Sequence, residues 1–149
     1  AGGLRTLEQM AGYDWMVIDG AGRYEKITAE AVRIADLVLI PVQPSPYDIW
    51  AIAELIDLVK QRQTISGGQP ILGAVISRMV PGTVLGRDIN EALAEIGVEH
   101  LDTQLGQRQI YPQTANQGRT PLEADPDGKA ALEISALADE IRKVFKDGY

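Results

Sequence analysis

The run Asp36-Leu37-Val38-Leu39-Ile40-Pro41-Val42, continued by Gln43-Pro44-Ser45-Pro46-Tyr47-Asp48, decides the fold. Its first half is almost wholly apolar, as a strand covered on both faces must be. Pro41 stands near the end, where a lost ladder hydrogen bond costs least. The second half reads as a helix start. Ser45 can cap, Pro46 suits the first helical position, and Asp48 puts a carboxylate in the first turn. Ile49, Ile52, Leu55, Ile56 and Val59 then fall on one stripe. A buried strand that passes directly into an amphipathic helix is the repeating unit of a parallel sheet.

Ser66-Gly67-Gly68 closes that connection, and Pro70 to Ser77 is a further apolar strand. The spacing predicts a helix from about Gly86 to Ile96, with Ile89, Leu93 and Ile96 inward, then a short strand within Val98 to Leu105. Gln107 to Gly128 is polar with few apolar anchors, long enough to suggest a functional loop. A last helix is expected from Asp125-Pro126 to Phe145, its stripe being Ala131, Ile134, Leu137, Ile141 and Val144. Upstream, Tyr13-Asp14-Trp15-Met16-Val17-Ile18-Asp19 reads as another doubly covered strand, ended by the turn formers Gly20-Ala21-Gly22. Leu4, Leu7 and Met10 have helical spacing before it. Thr28 to Ala35 reads as a helix with Ile27, Ala31 and Ile34 on one face. The alternation predicts the α/β class: a mostly parallel sheet with helices on both faces, in three layers. Ligand groups then belong at the C-terminal strand ends.

With 149 residues the chain suits one domain with a sizeable core. Hydrophobic residues at 45% and charged residues at 23% describe an ordinary globular chain rather than a disordered one. The absence of cysteine excludes disulfides, thiolate metal sites, iron–sulfur ligation and cysteine nucleophiles, and it fits a reducing compartment. His100 is the one histidine, which argues against a histidine metal cluster and leaves it as a surface residue near a helix end. Lys and Arg number 14 against 21 Asp and Glu, for a net charge of −7. That disfavours a globally basic nucleic-acid binder and leaves room for a local basic patch. Apolar runs extend only a few residues, far short of the roughly 20 that cross a bilayer, so no membrane partner is expected.

Asp19 is the leading candidate for chemistry. A carboxylate at the end of an apolar strand, followed by small residues, can hold a hydrated Mg²⁺ beside a phosphate. The same pattern also serves as a plain cap on a strand-to-helix turn. Tyr13 to Gly22, then Asp36 to Asp48, together resemble the ParA family of partition ATPases, and among them the small ParF-like members. Ile76-Ser77-Arg78 and Thr103-Gln104-Leu105-Gly106-Gln107-Arg108-Gln109-Ile110-Tyr111 extend the resemblance over nearly the whole chain in the right order. The Asp-Gly-Ala-Gly turn alone is weakly specific. In combination with Pro44-Ser45-Pro46-x-Asp48 and the Gln107-Arg108-Gln109 segment it is more so.

That resemblance implies a P-loop NTPase-like sheet of the deviant Walker A type. It implies ATP and ADP with Mg²⁺ as cofactors and an ATP-sandwiched homodimer that binds DNA non-specifically. A centromere-binding partner protein stimulates hydrolysis, and the setting is cytoplasmic and nucleoid-associated. One departure is large: no Gly-Lys-Thr or Gly-Lys-Ser occurs, and the one Gly-Lys pair, Gly128-Lys129, is followed by Ala130. Residues 1–149 therefore resemble roughly the C-terminal two-thirds of a single such domain, lacking its N-terminal strand and phosphate loop. The chain alone is expected neither to bind nor to hydrolyse ATP.

Carried across, the resemblance makes Asp19 the carboxylate that orients Mg²⁺ through water, and Gly20 and Gly22 the switch turn at the γ-phosphate. The family more often has prolines after this Asp. Arg78 falls on the adenine side of the nucleotide, with Pro112 beside the same base pocket; solvated-loop roles are the alternatives. Pro44, Ser45, Pro46 and Asp48 fall near the dimer face, although helix capping already accounts for Ser45 and Pro46. Arg108, Arg119 and Lys129 fall where the family touches DNA phosphates. Ordinary solvated charge explains them equally, since Glu123, Asp125 and Asp127 lie among them. Tyr111 either stacks on a base or pins its loop. The C-terminal stripe has the width of a core-facing helix, and its polar face mixes Asp139, Glu140, Arg142 and Lys143, unlike a basic membrane-surface helix. The rival class is a non-catalytic α/β module that binds a partner through Pro44 to Asp48.

Overall fold

The structure, a computed structural model, describes residues 12–20, 25–82 and 84–147. Its elements are α1 (Glu25–Ile34), β1 (Leu37–Val42), α2 (Pro46–Ser66), β2 (Ile71–Ile76), α3 (Val84–Glu95), α4 (Ile110–Ala115), α5 (Pro121–Ala124) and α6 (Lys129–Asp147). This is an α/β fold with a small parallel sheet and helices between and after its strands. β1 pairs with β2. The Ile71 N–H donates to the Asp36 carbonyl at 2.9 Å and the Ser77 N–H to the Val42 carbonyl at 2.8 Å. The partner offset is the same at both ends, which only parallel strands give.

Contacts divide the chain into two compact units. The first takes residues 1–38 and 54–72. Within it Val32, Ile56, Val59 and Pro70 are buried, and the Gln63 side-chain amide donates to the Pro70 carbonyl at 2.7 Å. The second takes residues 39–53 and 73–149. Its core is Ile40, Val42, Ile49, Ala74, Val75, Ile76, Ile89, Leu93, Val98, Leu101, Ala130 and Ala131. The expected stripe residues Ile49, Ile56, Val59, Ile89, Leu93 and Ala131 are thus interior, because helical spacing of apolar side chains places them together on one face.

Three expectations need correction. Residues 12–20 form no strand, and Val17 is 92% exposed, with Trp15 and Met16 exposed as well. An apolar run shows that a segment can be buried, but a strand exists only where a neighbour completes its ladder. The one ladder among the described residues joins β1 to β2. Next, Val98 to Leu105 runs parallel beside β2 as isolated bridges, Ala74 with His100 and Met79 with Gly106. The partner offset changes by one residue between them, so no continuous ladder forms. Finally, the polar stretch from Gln107 holds two short helices, α4 and α5, and the last helix begins at Lys129 rather than Asp125-Pro126. Thr120 opens α5 with a capping box: its hydroxyl accepts from the Glu123 N–H while the Glu123 carboxylate accepts from the Thr120 N–H. At Gly128, which donates its N–H to the Asp125 carbonyl at 3.0 Å, a Cβ would collide with the Asp125 carboxylate. The chain therefore turns there before α6 begins.

Leu4, Leu7 and Met10 lie outside the described residues, as does Gly22. Among the described residues no helix is long and apolar enough to cross a membrane.

Candidate functional site

In the second unit, the residues that follow β1 and β2 meet. The Ser77 N–H and hydroxyl both reach the Val42 carbonyl, at 2.8 and 3.4 Å. Arg78, next along, has φ +52° and an exposed side chain whose Nη1 donates to Gln43 Oε1 at 3.5 Å. A left-handed backbone costs a residue with a Cβ about 1 kcal/mol or more, and such positions gather at functional sites. Beside it the Met79 N–H donates to the Leu105 carbonyl and the Gln107 N–H to the Met79 carbonyl, both at 3.0 Å. The post-β2 loop is thereby stitched to the 105–107 segment.

These pairings create a cleft of about 460 Å³ lined by Val80, Gln107, Arg108, Gln109 and Pro112. It is an open surface depression rather than an enclosed pocket. Its lining offers two side-chain amides, one guanidinium and the apolar faces of Val80 and Pro112. Within α4 the buried Thr114 hydroxyl donates to the Ile110 carbonyl at 2.8 Å.

Arg108 does not stand alone in the wall. Its Nε donates to Glu133 Oε2 at 3.0 Å and its Nη2 pairs with Glu133 Oε1. The Gly106 N–H also donates to Glu133 Oε2, at 3.1 Å. The Arg108 hydrogen bond, helped by that N–H, holds the Glu133 carboxyl below its ordinary range despite partial burial. Glu133 in return raises the Arg108 guanidinium. A Cβ at Gly106 would lie 3.0 Å from Arg108 Nη2, so the bare glycine lets the guanidinium lie across the backbone. The Tyr111 hydroxyl is buried without a hydrogen-bond partner among the described residues; burial pushes its pKa up, and the nearby Glu133 charge adds to that. A turn or two further along α6, Glu140 accepts from the Asp102 and Thr103 N–H groups at 2.6 and 2.9 Å.

The other candidates are placed as follows. Asp19 and Gly20 are exposed and belong to the first unit. Pro112 lines the cleft. Asp48 Oδ2 accepts from the Gln43 N–H at 3.1 Å, and the Ser45 carbonyl accepts from the Asp48 N–H at 3.1 Å, closing the first turn of α2. Pro44 precedes that turn and Pro46 opens the helix. Arg119 is exposed and donates to the Glu123 carbonyl at 2.7 Å, and Lys129 is exposed at the start of α6. Among the described residues no group of three or more His, Asp and Glu is placed to hold a metal ion.

Sequence reasoning passed over Glu133 and Val80, and it named Gln107 and Gln109 as part of a motif without assigning them a role. Glu133 had no local signal, since it reaches Arg108 across 25 positions. It also passed over Tyr47 and Trp50. Both are exposed, 75% and 70%, and their rings meet edge to face at 5.7 Å. Aromatics three apart in the first turn of a helix were the available cue.

No family model matches the chain. It is 26% identical over 138 residues to the Maintenance of carboxysome distribution protein A of Halothiobacillus neapolitanus, covering 91% of this chain and 60% of that protein. An uncharacterized protein of Mycobacterium tuberculosis is 28% identical over 131 residues, covering 87% of this chain and 41% of the relative. An uncharacterized protein of Pseudomonas putida is 26% identical over 131 residues, with 87% and 50% covered. The chain spans between 41% and 60% of the length of these curated relatives. The relation to the carboxysome distribution protein is distant.

Proposed function

We propose that the chain is the base-binding and DNA-facing part of a nucleotide-switched partition ATPase of the ParA type, with a P-loop NTPase-like architecture. The observation that carries this is the cleft beyond the end of β2, whose lining includes Gln107, Arg108 and Gln109 of one segment on which the resemblance rests, with Val80 two residues past another, Ile76-Ser77-Arg78. The distant relation to a distribution protein supports the same class.

In this reading Pro112 lines the pocket for the base of ATP or ADP, and Arg78, outside the cleft lining, falls on the adenine side. Asp19 would hold Mg²⁺ through water, with Gly20 and Gly22 as the switch turn. Mg²⁺ supplies charge neutralisation at the phosphates. Pro44, Ser45, Pro46 and Asp48 lie toward the second copy of an ATP-dependent homodimer. DNA contact falls to the exposed Arg119 and Lys129, with Arg108 secondary because Glu133 already neutralises it. At a net charge of −7, such contact needs two copies to gather enough cations, and it weakens steeply with salt. A centromere-binding protein is the expected stimulator, acting in a cytoplasmic, nucleoid-associated setting.

The test is ATP hydrolysis by the full-length protein with and without Asp19→Ala. A loss of about a hundredfold or more is expected; retained wild-type turnover overturns the role of Asp19. The exposed Tyr47–Trp50 pair favours one second reading, a non-catalytic module that docks a partner through this face. A full-length protein that binds no nucleotide selects it.

A further inference from the structure

We infer that Glu133 is the positioning residue of the cleft, and that by neutralising Arg108 it makes the site take an uncharged purine base rather than an anion. This rests on the reading of the cleft as the base end of a nucleotide site.

The argument starts from charge. Among the described residues Arg108 is the one cation in the lining, set among Val80, Pro112 and two amides. A lone guanidinium in such a wall attracts phosphate or carboxylate, because its planar fork suits both. Glu133 occupies that fork through two contacts, from Nε and from Nη2. The pair is partly exposed, so water screens it in part, but its two contacts still occupy the fork. What remains for a ligand is an electrically neutral slot with apolar faces and amide donors and acceptors, which suits the flat face and hydrogen-bonding edge of a base. The same carboxylate accepts from the Gly106 N–H and fixes the backbone from which Gln107 and Arg108 project. Glu133 lies outside the lining and acts through Arg108 and Gly106.

The experiment compares two probes, ATP and inorganic tripolyphosphate, titrated calorimetrically into the full-length protein with Mg²⁺ present. The ratio of their Kd values isolates what the base contributes. In the wild type ATP is expected to bind about tenfold or more tightly than tripolyphosphate. Glu133→Gln leaves Arg108 charged and is expected to collapse the ratio toward one, tripolyphosphate gaining as ATP loses. Glu140→Gln, which loosens the same loop without touching Arg108, is expected to leave the ratio unchanged. The double variant Arg108→Gln/Glu133→Gln makes the slot neutral again and is expected to restore the ratio to within about threefold of wild type. An unchanged ratio in Glu133→Gln overturns the inference while leaving the reading of the cleft intact. So does an equal change in Glu140→Gln, or a double variant as impaired as the single one. A wild type that binds both probes equally, or neither, overturns the reading of the cleft itself, and the inference with it.

Discussion

Replacing Glu140 by Gln should cost about 2 kcal/mol at pH 7 and much less in acid. The Glu140 carboxylate accepts two backbone N–H groups, Asp102 at 2.6 Å and Thr103 at 2.9 Å, and it is partly buried. A hydrogen bond to a charged group contributes about 1.5–3 kcal/mol. Gln keeps one acceptor oxygen and loses both the charge and the second oxygen. One charge-assisted bond is then lost and the other weakened, and about 2 kcal/mol is a roughly thirtyfold change in the folding constant. The pH dependence follows from the shift. Burial alone would raise the Glu140 pKa, but the Thr103 hydroxyl and the two N–H donors together outweigh it, so the folded value lies below the ordinary 4.5. A carboxylate whose folded pKa is depressed stabilises fully above its unfolded value and loses that contribution as pH falls through the folded value. Urea unfolding of wild type and variant at pH 7 and pH 3 measures both. The gap should narrow at pH 3, because the protonated wild-type carboxyl then resembles the amide. A gap of equal size at both pH values would refute the reasoning and assign the loss to packing.

Three other perturbations test the scaffold. Leu93, fully buried on α3, should cost about 3 kcal/mol as Leu93→Ala and lower Tm by roughly 10 °C, read by thermal unfolding. Thr120→Ala removes the hydroxyl half of the α5 capping box and should cost about 1 kcal/mol in urea unfolding, with Thr120→Ser largely restoring it. Gly106→Ala places a Cβ 3.0 Å from the Arg108 guanidinium, so its cost, about 1 kcal/mol, should largely vanish in an Arg108→Ala background.

The parts of this fold that could be read from the chain are those fixed by local chemistry. Leu37 to Val42 and Ile71 to Ile76 are continuous apolar runs and form the sheet. Ser45-Pro46 starts α2 because capping and a fixed proline φ act within one turn. Tyr13 to Asp19 carries an equally apolar run and is no strand, since pairing depends on a partner that the run itself does not encode. The two short helices after Gln107 escaped notice because four and six residues are too few for a periodic stripe. The Thr120-Pro121-Leu122-Glu123 cap was nevertheless readable. At the candidate site, the Gln107-Arg108-Gln109 segment of the lining was visible in the sequence, whereas the left-handed backbone of Arg78 leaves no sequence trace. Glu133 was opaque for a different reason: a single acid on an ordinary helix says nothing about a partner 25 residues away.

That opacity has a structural source in how α6 meets the 102–108 segment. Glu133 and Glu140 are seven residues apart, close to two helical turns, so they lie on one side of the helix. The donors they capture, Asp102 and Thr103 at one end and Gly106 and Arg108 at the other, belong to a segment that lacks a continuous ladder of its own. Between the His100 and Gly106 bridges the Asp102, Thr103 and Gly106 N–H groups are not paired with β2. The two carboxylates supply the missing acceptors. A regular third strand would keep Gln107, Arg108 and Gln109 in the alternating register of a sheet. The irregular segment turns them into the cleft, and the acidic face of α6 is what makes that irregularity stable.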